Sequence, residues 1–522
     1  MYWADTITEN IKTLYKDKIK EGVLLIIRDE KTASGRVHVG SLRGVAIHGI
    51  ISEILNDKGV PNKFIYEIND FDPMDGIPVY LDQEKYKEHF GKPLCDIPSP
   101  DGIAKNFAEY FGQEFEKVIL GLGFKPEFTR SSLLYKEGKY NECIKIALDN
   151  AEAIRSIYKE VSGSQKGPEW FPLNVRCESC GNIMSTLIDS WDGDNVEYEC
   201  LINNESRKAC GFKGKISPYN GNAKLPWKVE WAAKFKIYNV DVEGAGKDHS
   251  TKGGARQVAE AISRKVFKHE PPFDVPYEFF LVGGKKMSSS KGAGSSAGEM
   301  ADLLPSHILR FLLLSKDYKQ QINVDPEGDS VPILFDNYDR VAKEYWEGGE
   351  SLLFKSVHVT YPQGLEKRQL PRFSTVAYLV QMPHVDIVKE LEKLDGVSYT
   401  EKDKEELELR SKYARIWLDT YAPEDYKFEI KKELPASAKD FSDLQKKALS
   451  EVVSFLETEK DLDGQKFHTK LHEIKTSLQI EPKEFFSAIY ISILGKESGP
   501  KAGWFLSVLP KDFLIKRFKE VT

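Results

Sequence analysis

Two short stretches of the chain carry side chains that could bind phosphate groups. The first, TASGRVHVGS, runs from Thr32 to Ser41 and combines two glycines with a histidine. The second, GKKMSSSKG, runs from Gly284 to Gly292 and places lysine ammonium groups beside serine hydroxyls. Glycine lets a backbone come close to a ligand and lets a loop change conformation. A loop with such donors could hold a triphosphate during a reaction and release the products afterwards.

Each stretch alone also has an ordinary explanation. A basic, serine-rich segment can be a flexible linker, and His38 can be a histidine that merely starts a helix. Neither stretch matches the GxGxxG dinucleotide fingerprint or the Walker A loop. The choice between a phosphate site and a linker therefore depends on the elements that position the two stretches.

Both stretches follow segments that predict strands of a parallel sheet. GVLLIIR, from Gly22 to Arg28, precedes the first stretch, and VPYEFFLV, from Val275 to Val282, precedes the second. VAIHGIISEIL then predicts a helix and KFIYEI a second strand, which completes a βαβ unit and hence a Rossmann-like domain. YNVDVEGAG, from Tyr238 to Gly246, predicts a further strand. Such sheets bind anions at the carboxyl ends of strands and the N-termini of helices, where both stretches lie.

The remaining sequence is mostly helical by its periodicity. Helices are predicted at 106–123 and 141–161, and six segments after about residue 300 show a 3.6-residue period, with KSVHVTY as a short exception. We therefore predict an α/β fold: a Rossmann-like parallel-sheet catalytic domain with a zinc-containing insertion, followed by an all-α C-terminal domain. The predicted ranges are 1–95 and 223–298 for the two halves of the catalytic domain, 96–222 for the insertion, 299–345 for a stem or junction, and 346–522 for the helical domain.

The composition is that of a folded protein without a basic excess. Apolar residues make up 41% of the chain, charged residues 30%, and the formal net charge is −7. This excludes a polycation that coats DNA but allows a local nucleic-acid-binding face. No apolar run approaches the roughly 20 residues needed to cross a membrane, and the N-terminus lacks a secretory signal, so we predict a cytoplasmic protein.

Four of the six cysteines form a cluster that suits a metal ion. Six cysteines in 522 residues are too few for a disulfide framework. A CxxC pair with two further thiolates suits tetrahedral zinc, and a closed set of four ligands is structural, not catalytic. The nine residues between the last two cysteines exceed the usual two to four, and reduced free thiols are the alternative. The predicted ligands are Cys177, Cys180, Cys200 and Cys210.

Taken together, SGRVHVGS and KKMSSSKG resemble the HIGH and KMSKS motifs of class I aminoacyl-tRNA synthetases, in the right order and each at a strand end. Further segments resemble the class I lysyl-tRNA synthetases over essentially the whole chain: HFGKPLCDIPSPDG, LPWKVEWAAKF, VEGAGKDHSTKGG, INVDPEGD and LGKESGPKAGWFLSVL. The resemblance implies an enzyme that activates L-lysine with ATP and Mg²⁺ and transfers the lysyl group to tRNA(Lys). It implies no DNA or membrane partner, and we expect a monomer.

The same resemblance implies the roles of individual residues. Two positions depart from the motifs: Ser41 stands for the last histidine of HIGH, and Ser289 for the second lysine of KMSKS. Our hypothesis is that Lys291 supplies the charge that Ser289 lacks. The catalytic residues implied are His38, Lys286, Ser288 and Lys291. The ATP-binding residues implied are Ser34, Gly35, His38, Gly40, Ser41, Gly246, Asp248, Lys286, Met287, Ser288, Ser289 and Ser290.

A lysine pocket must accommodate two ammonium groups, which need carboxylates or aromatic faces when they are buried. Residues at predicted strand ends supply such groups, with Trp231 and Tyr277 as the aromatic wall and Glu230 or Asp70 as the partner of the ε-ammonium. Trp231 could equally be an ordinary core residue. The predicted lysine-binding residues are Thr32, Asp70, Glu230, Trp231, His249 and Tyr277.

The helical C-terminal domain fits the anticodon-binding domain of the family. Late basic residues could contact phosphates there: Lys466, Lys470, Lys475, Lys483, Lys496, Lys501, Lys511, Lys516, Arg517 and Lys519. Relatives can carry a second metal site, but Ala104 and Tyr110 stand where histidines are expected, so we predict no metal there.

Two alternative functions stay open at this point. One is another class I synthetase of the glutamyl type, which would need arginines in the cleft; the candidates are Arg36, Arg43 and Arg256. The other is a non-catalytic RNA-binding paralogue of a synthetase.

Overall fold

The computed structural model describes residues 2–202, 209–284, 295–382, 385–459 and 463–522. These residues form two compact units. Unit 1 runs to Val324 and includes Gly348–Leu365, and unit 2 consists of Asp325–Glu347 and Glu366–Thr522. The domain ranges given above stay a prediction. Among the described helices, none combines the length and apolarity that a membrane span requires.

The described chain contains strands only in unit 1, whereas helices occur in both units. The strands are β1 (Leu25–Thr32), β2 (Asn62–Asn69), β3 (Glu127–Arg130), β4 (Asn174–Val175), β5 (Thr186–Trp191), β6 (Val196–Cys200), β7 (Lys213–Ile216), β8 (Ala223–Lys224), β9 (Phe280–Val282) and β10 (Ile322–Val324). The helices of the first half are α1 (Trp3–Leu14), α2 (Lys16–Lys20), α3 (Leu42–Asp57), α4 (Gln83–Lys87), α5 (Phe107–Gly121), α6 (Ser131–Lys136), α7 (Asn141–Asp149), α8 (Ala151–Ser162), α9 (Trp227–Tyr238), α10 (Lys247–Ser250) and α11 (Ala255–Ile262).

The helices of the second half are α12 (Ala297–Leu303), α13 (Ser306–Leu314), α14 (Ser330–Trp346), α15 (Leu352–Val357), α16 (Phe373–Leu379), α17 (Ile387–Asp395), α18 (Glu401–Thr420), α19 (Asp443–Thr458), α20 (Gly464–Ser477), α21 (Pro482–Leu494), α22 (Ala502–Ser507) and α23 (Lys511–Lys519). Each of the six helical segments predicted after residue 300 overlaps one of these helices, with ends that differ by up to three residues. KSVHVTY, the predicted exception, begins inside α15, so that expectation was wrong for its first three residues.

A parallel sheet forms the centre of unit 1. β1 pairs with β2 along its whole length, and β2 pairs with β3, both in parallel. Beyond β1, Val242 forms parallel bridges to Ile27 and Phe273, and Gly246 forms one to Tyr277. The segment 238–246, predicted as a strand, therefore joins the sheet through single bridges only among the described residues. Its first residue belongs to α9. β9 pairs in parallel with β10. The predicted Rossmann-like parallel sheet is thus confirmed.

β1 continues past its predicted end at Arg28 to Thr32. Its second half reads RDEKT, a sequence that favours solvent, yet the Arg28 side chain is fully buried. The strand continues because Arg28 and Glu30 pair with charged side chains inside the protein. Sequence periodicity detects burial of apolar side chains and so misses a strand of this kind.

α3 is fixed against the sheet at the point where the first motif ends. The imidazole of His48 donates from Nδ1 to the carbonyl of Gly44 at 2.7 Å and accepts at Nε2 from the backbone N–H of Gly244 at 2.8 Å. A Cβ on Gly44 would lie 2.6 Å from the Asp29 carboxylate and 2.7 Å from the Tyr277 hydroxyl. Glycine at this position lets the helix lie directly over both side chains.

The range 96–222, interpreted above as an insertion, is only partly separate from the sheet. It contains β3, which extends the central sheet, whereas β5, β6 and β7 form a small antiparallel sheet of their own. The helix expected over 141–161 is two helices, α7 and α8, because Asn150 leaves the helical conformation with φ −116° and ψ 29°.

Candidate active site

A cavity of about 500 Å³ opens at the carboxyl ends of the central strands of unit 1. Ligands bind at this edge in parallel α/β sheets. Its lining comes from the ends of β1 and β2, the start of α3, one face of α9, and the segments around 243–249 and 277–280. The lining residues are Asp29, Glu30, Lys31, Thr32, His38, Gly40, Ser41, Tyr66, Asn69, Asp72, Trp227, Glu230, Trp231, Glu243, Gly244, Ala245, Gly246, Asp248, His249, Tyr277, Glu278, Phe279 and Phe280.

The first motif contributes His38, Gly40 and Ser41 to this cavity, whereas Ser34 and Gly35 lie outside its lining. Gly246 and Asp248, the other predicted ATP-binding residues within the described chain, line it as well. The turn between β1 and α3 thus places His38 at the cavity, next to the N-terminus of α3. Exposed backbone N–H groups and the helix dipole favour an anion there.

The second motif lies outside the described residues, which resume at Ser295. Roles therefore remain predictions for Lys286, Met287, Ser288, Ser289, Ser290 and Lys291. Both described flanks are fixed, however. Before the gap, the backbone N–H of Gly284 donates to Asn323 Oδ1 at 3.0 Å.

The flank that follows the gap is hydrogen-bonded to the first motif. The N–H of Val39 donates to the carbonyl of Ser295 at 3.1 Å, and the N–H of Ala297 donates to the carbonyl of Val37 at 2.8 Å. Ser296 then caps α12 through a reciprocal pair of hydrogen bonds with Glu299. Two segments about 255 residues apart in sequence are therefore adjacent in unit 1.

An aromatic group forms one side of the cavity. The rings of Trp227 and Trp231 are stacked with centroids 6.1 Å apart, and His249 contacts both at 5.6 and 6.1 Å. Thr32 and Tyr277 also line the cavity, as predicted. Sequence reasoning missed Trp227, although the spacing WKVEW places it one helical turn before Trp231.

Glu230 and Trp231 were expected at a strand end, and this was wrong: both lie in the middle of α9. Every residue of this helix from Val229 to Phe235 is buried. A helix buried all round lacks the contrast between apolar and polar faces that identifies amphipathic helices.

Below the aromatic group lies a set of eight charged side chains, here called the buried charge cluster: Arg28, Glu30, Glu67, Asp72, Lys224, Glu230, Lys234 and Glu243. Arg28 contacts Glu30 at 2.6 Å and Glu243 at 2.8 Å. Lys234 contacts Glu67 at 2.7 Å and also Glu30. Although burial opposes it, these two cations hold the pKa of Glu30 well below its usual range.

The cluster has an excess of negative charge. It contains five carboxylates and three cations, a net charge of −2. Lys224 contacts Asp72 at 2.9 Å and Glu230 at 2.8 Å. Glu30 and Asp72 are the members most open to the cavity, with side chains 28% and 22% exposed. A buried excess of this kind favours a cationic ligand.

Neither predicted partner of the ε-ammonium has a free carboxylate. Asp70 does not line the cavity, because its carboxylate accepts hydrogen bonds from Ser131 and Ser132 at the start of α6, at 2.5 to 3.0 Å. Glu230 lines the cavity but is already bonded to Lys224 and to the hydroxyl of Tyr135 at 2.9 Å. The sequence does not reveal that both carboxylates already have partners inside the protein.

The arginines that a glutamate pocket would need lie elsewhere. Arg43 is buried and donates to the carbonyls of Leu313 and Asp317. Arg256 donates to the carbonyls of Glu243 and Pro272. Arg36 lies over the ring of Tyr80 at 5.2 Å. Within the described residues, no arginine lines the cavity.

A family model for tRNA synthetases of class I (K) matches residues 1–361, which is more than half of the chain. The chain belongs to this family. A second model, for an anticodon binding domain, matches residues 416–522. Membership of a class I synthetase family implies ATP as a substrate and tRNA as a partner.

Curated relatives match this class I synthetase over its full length. "Lysine--tRNA ligase" of Methanosarcina barkeri (strain Fusaro) is 34% identical, with 100% of this chain and 98% of the relative covered. "Lysine--tRNA ligase" of Archaeoglobus fulgidus is 33% identical, with 99% of each covered. A solved glutamate tRNA ligase from Elizabethkingia meningosepticum is 10% identical, with 95% and 99% covered and a TM-score of 0.44, a distance too great to bear on function.

The four cysteines of this class I synthetase form a compact cluster whose sulfur atoms all lie within 4.8 Å of one another. Cys177 and Cys210 have their sulfurs 3.6 Å apart, and Cys180 and Cys200 3.9 Å apart. Thiolates about 2.3 Å from a tetrahedral zinc lie about 3.8 Å from each other. The donor set therefore fits zinc, which would hold the small antiparallel sheet to the CxxC turn.

Changing Cys180 to serine is expected to remove the metal. A protein with about one zinc per chain should then retain almost none, and its apparent Tm should fall, because a structural site contributes directly to folding. Metal analysis of the purified protein with thermal unfolding measures both effects. Cys95→Ser, which changes a half-buried thiol outside the cluster, is the control. Equal zinc contents in the two variants would contradict the assignment.

One of the basic residues proposed to contact phosphates is excluded by the structure. Arg517 is buried, and its guanidinium donates to the carbonyls of Ser492 and Lys431 at 2.7 and 2.8 Å. It connects three segments of unit 2 and cannot also bind RNA. The lysines of the predicted face stay a prediction.

Proposed function

We propose that the chain is a lysine–tRNA ligase. It activates L-lysine with ATP to lysyl-adenylate and transfers the lysyl group to the 3′-terminal adenosine of tRNA(Lys). The main observation in favour of lysine as the amino acid is the negative charge of the cavity lining. Seven carboxylates line it, against a single lysine and, in the described part of the chain, no arginine. The names of the curated relatives support the same reaction.

The cavity has groups that suit both the methylene groups and the ammonium group of a lysine side chain. Trp227 and Trp231 offer flat apolar faces for the four methylene groups and a π-surface for an ammonium. Glu30 and Asp72 also pair with cations of the cluster, but they are its most exposed carboxylates and so offer oxygens to an ammonium group. A glutamate side chain would instead face carboxylates that no arginine of the described residues balances, which disfavours the glutamyl alternative.

The nucleotide is proposed to bind beside the first motif. His38, Gly40, Ser41, Gly246 and Asp248 line the cavity where ATP would lie. Because the cavity is acidic, the triphosphate needs cations from elsewhere. Mg²⁺ and the lysines of the second motif, Lys286 and Lys291, would supply them, with the serines as hydrogen-bond donors.

The reaction needs no covalent intermediate with a protein side chain. The lysine carboxylate attacks the α-phosphorus, and pyrophosphate leaves with the electron pair of the broken P–O bond. The ribose hydroxyl of the tRNA then attacks the carbonyl carbon, and AMP leaves. The protein positions the reactants and stabilises the developing charge.

A charging assay with each amino acid and purified lysine tRNA tests the proposal. Lysine should be attached in an ATP-dependent reaction, and glutamate should not. Because family behaviour implies that activation itself needs tRNA, tRNA must be present in every arm. Charging with glutamate would favour the glutamyl alternative, and the absence of any charging would favour the non-catalytic paralogue.

Replacing Trp227 with alanine should raise the KM for lysine about 2- to 30-fold with little change in kcat. The side chain is 48% exposed in the open cavity, so its removal costs contacts with substrate more than folding stability. The magnitude corresponds to the loss of one cation–π contact. Steady-state charging kinetics measure it. Trp191→Ala, which removes a tryptophan bonded to Asp149 far from the lining, should leave the KM unchanged.

A further inference from the structure

Lys31 is the one lysine or arginine among the residues that line the cavity, within the described chain. It is the last residue but one of β1, where it pairs with Ile68 of β2. Its side chain is half-buried, and its neighbours Glu30 and Thr32 line the same cavity. Sequence analysis assigns Lys31 no role, because a lysine at the end of a strand is usually a surface residue.

The ammonium group of Lys31 has no ion-pair partner among the described residues. The cations of the buried charge cluster differ in this respect, because Arg28, Lys224 and Lys234 each contact two or more carboxylates. Burial lowers the pKa of Lys31, and Asp29 and Asp248 offset this only in part. A half-buried ammonium without a counterion is unfavourable, and a bound anion would remove that cost.

The lysine–tRNA ligase reaction brings two anions to this cavity. One is the carboxylate of the amino acid, and the other is the α-phosphate of ATP; the bond formed between them gives the adenylate. Seven carboxylates in the lining repel both groups. The reaction centre therefore requires a cation that does not belong to the buried charge cluster.

We propose that Lys31 binds the anionic group at the reaction centre, either the carboxylate of the substrate lysine or the α-phosphate of ATP. This inference rests on the proposed function. Lys31 then touches a substrate and holds the nucleophile and the phosphorus near each other. The carboxylates of the cavity select the ammonium groups of lysine, and Lys31 fixes the opposite end of the same molecule or of its co-substrate.

Binding measurements on the full chain separate the two anions. Calorimetry is performed with lysine and with lysinol, which lacks the carboxylate, and then with AMP and with adenosine, which lacks the phosphate. In Lys31→Met, one pair should respond unequally. Either the affinity for lysine falls about 10- to 100-fold while that for lysinol is unchanged, or the affinity for AMP falls by that factor while that for adenosine is unchanged. The first result assigns Lys31 to the carboxylate and the second to the phosphate.

Two further variants exclude a purely structural effect. Lys31→Arg keeps the charge and should restore most of the affinity for the anionic member of the responding pair. Lys63 lies at the end of β2 away from the cavity and pairs with Glu127. Lys63→Met should therefore leave the affinity for all four ligands unchanged. If Lys31→Met changed both members of each pair equally, or none of them, the inference would be wrong. Failure of the wild-type protein to charge lysine would instead overturn the proposed function.

Discussion

Replacing His38 with alanine is expected to lower kcat for lysyl-adenylate formation about 10²- to 10³-fold, which is the usual cost of losing one donor to a developing anion. The imidazole lines the cavity at the N-terminus of α3, where the dipole already favours phosphate. The backbone at His38 is held from both sides by hydrogen bonds to the segment that follows the second motif. The side chain therefore needs little reorganisation to meet the triphosphate. The KM for lysine should change little, because the aromatic group and the carboxylates stay in place.

The measurement is the exchange of labelled pyrophosphate into ATP, with tRNA present in each reaction. His89→Ala is the matched control, since that histidine lies near the surface beside Glu88 and outside the cavity. An unchanged kcat in His38→Ala would remove the first motif from the chemistry. The two variants should unfold at similar temperatures, which separates loss of catalysis from loss of structure.

Replacing Lys234 with methionine is expected to destabilise unit 1 by about 3–5 kcal/mol. The ammonium is fully buried and contacts Glu30, Glu67 and Glu230. Without it, three carboxylates would face one another, and Arg28 and Lys224 would be the cations left in the cluster. The charge of the cluster would change from −2 to −3, and carboxylates at such distances cannot all stay ionised without cost.

Lys236 of the same helix supplies the control for this prediction. It also forms an ion pair, with Glu142 at 2.6 Å, but its side chain is 29% exposed. An exposed pair contributes about 0–1 kcal/mol, so Lys236→Met should be nearly neutral. Denaturant unfolding followed by tryptophan fluorescence compares the two. Equal effects would show that the cluster is not the stabilising unit described here.

The sequence predicted the secondary structure and the sheet better than the contacts of the side chains in the site. The βαβ start, the parallel sheet and the C-terminal helices follow from runs of apolar residues and from a 3.6-residue period, which depend on local sequence. The first motif could be placed for the same reason, since it lies between a strand and a helix that periodicity identifies.

The contents of the site depend on contacts between distant residues, which periodicity does not report. Asp70 and Glu230 were reasonable carboxylates for an ammonium, but Ser132 and Lys224 already bind them. Trp231 was placed at a strand end because the middle of α9 is buried on every side and has no polar face to reveal a helix. Lys31 was overlooked because its significance lies in having no ion-pair partner among the residues that the structure describes, and sequence alone does not show partners.

The buried charge cluster has a consequence for changing what the protein accepts. Its five carboxylates lie on β1, β2 and α9 and on the segments that follow β2 and α9, and their ion pairs connect these parts of unit 1. An engineer who wishes to redirect the pocket to an acidic amino acid would have to alter these same residues, and not only those that touch the ligand. Substrate preference and structural integrity are thus properties of one set of side chains, and evolution could shift the first only by rebuilding the second.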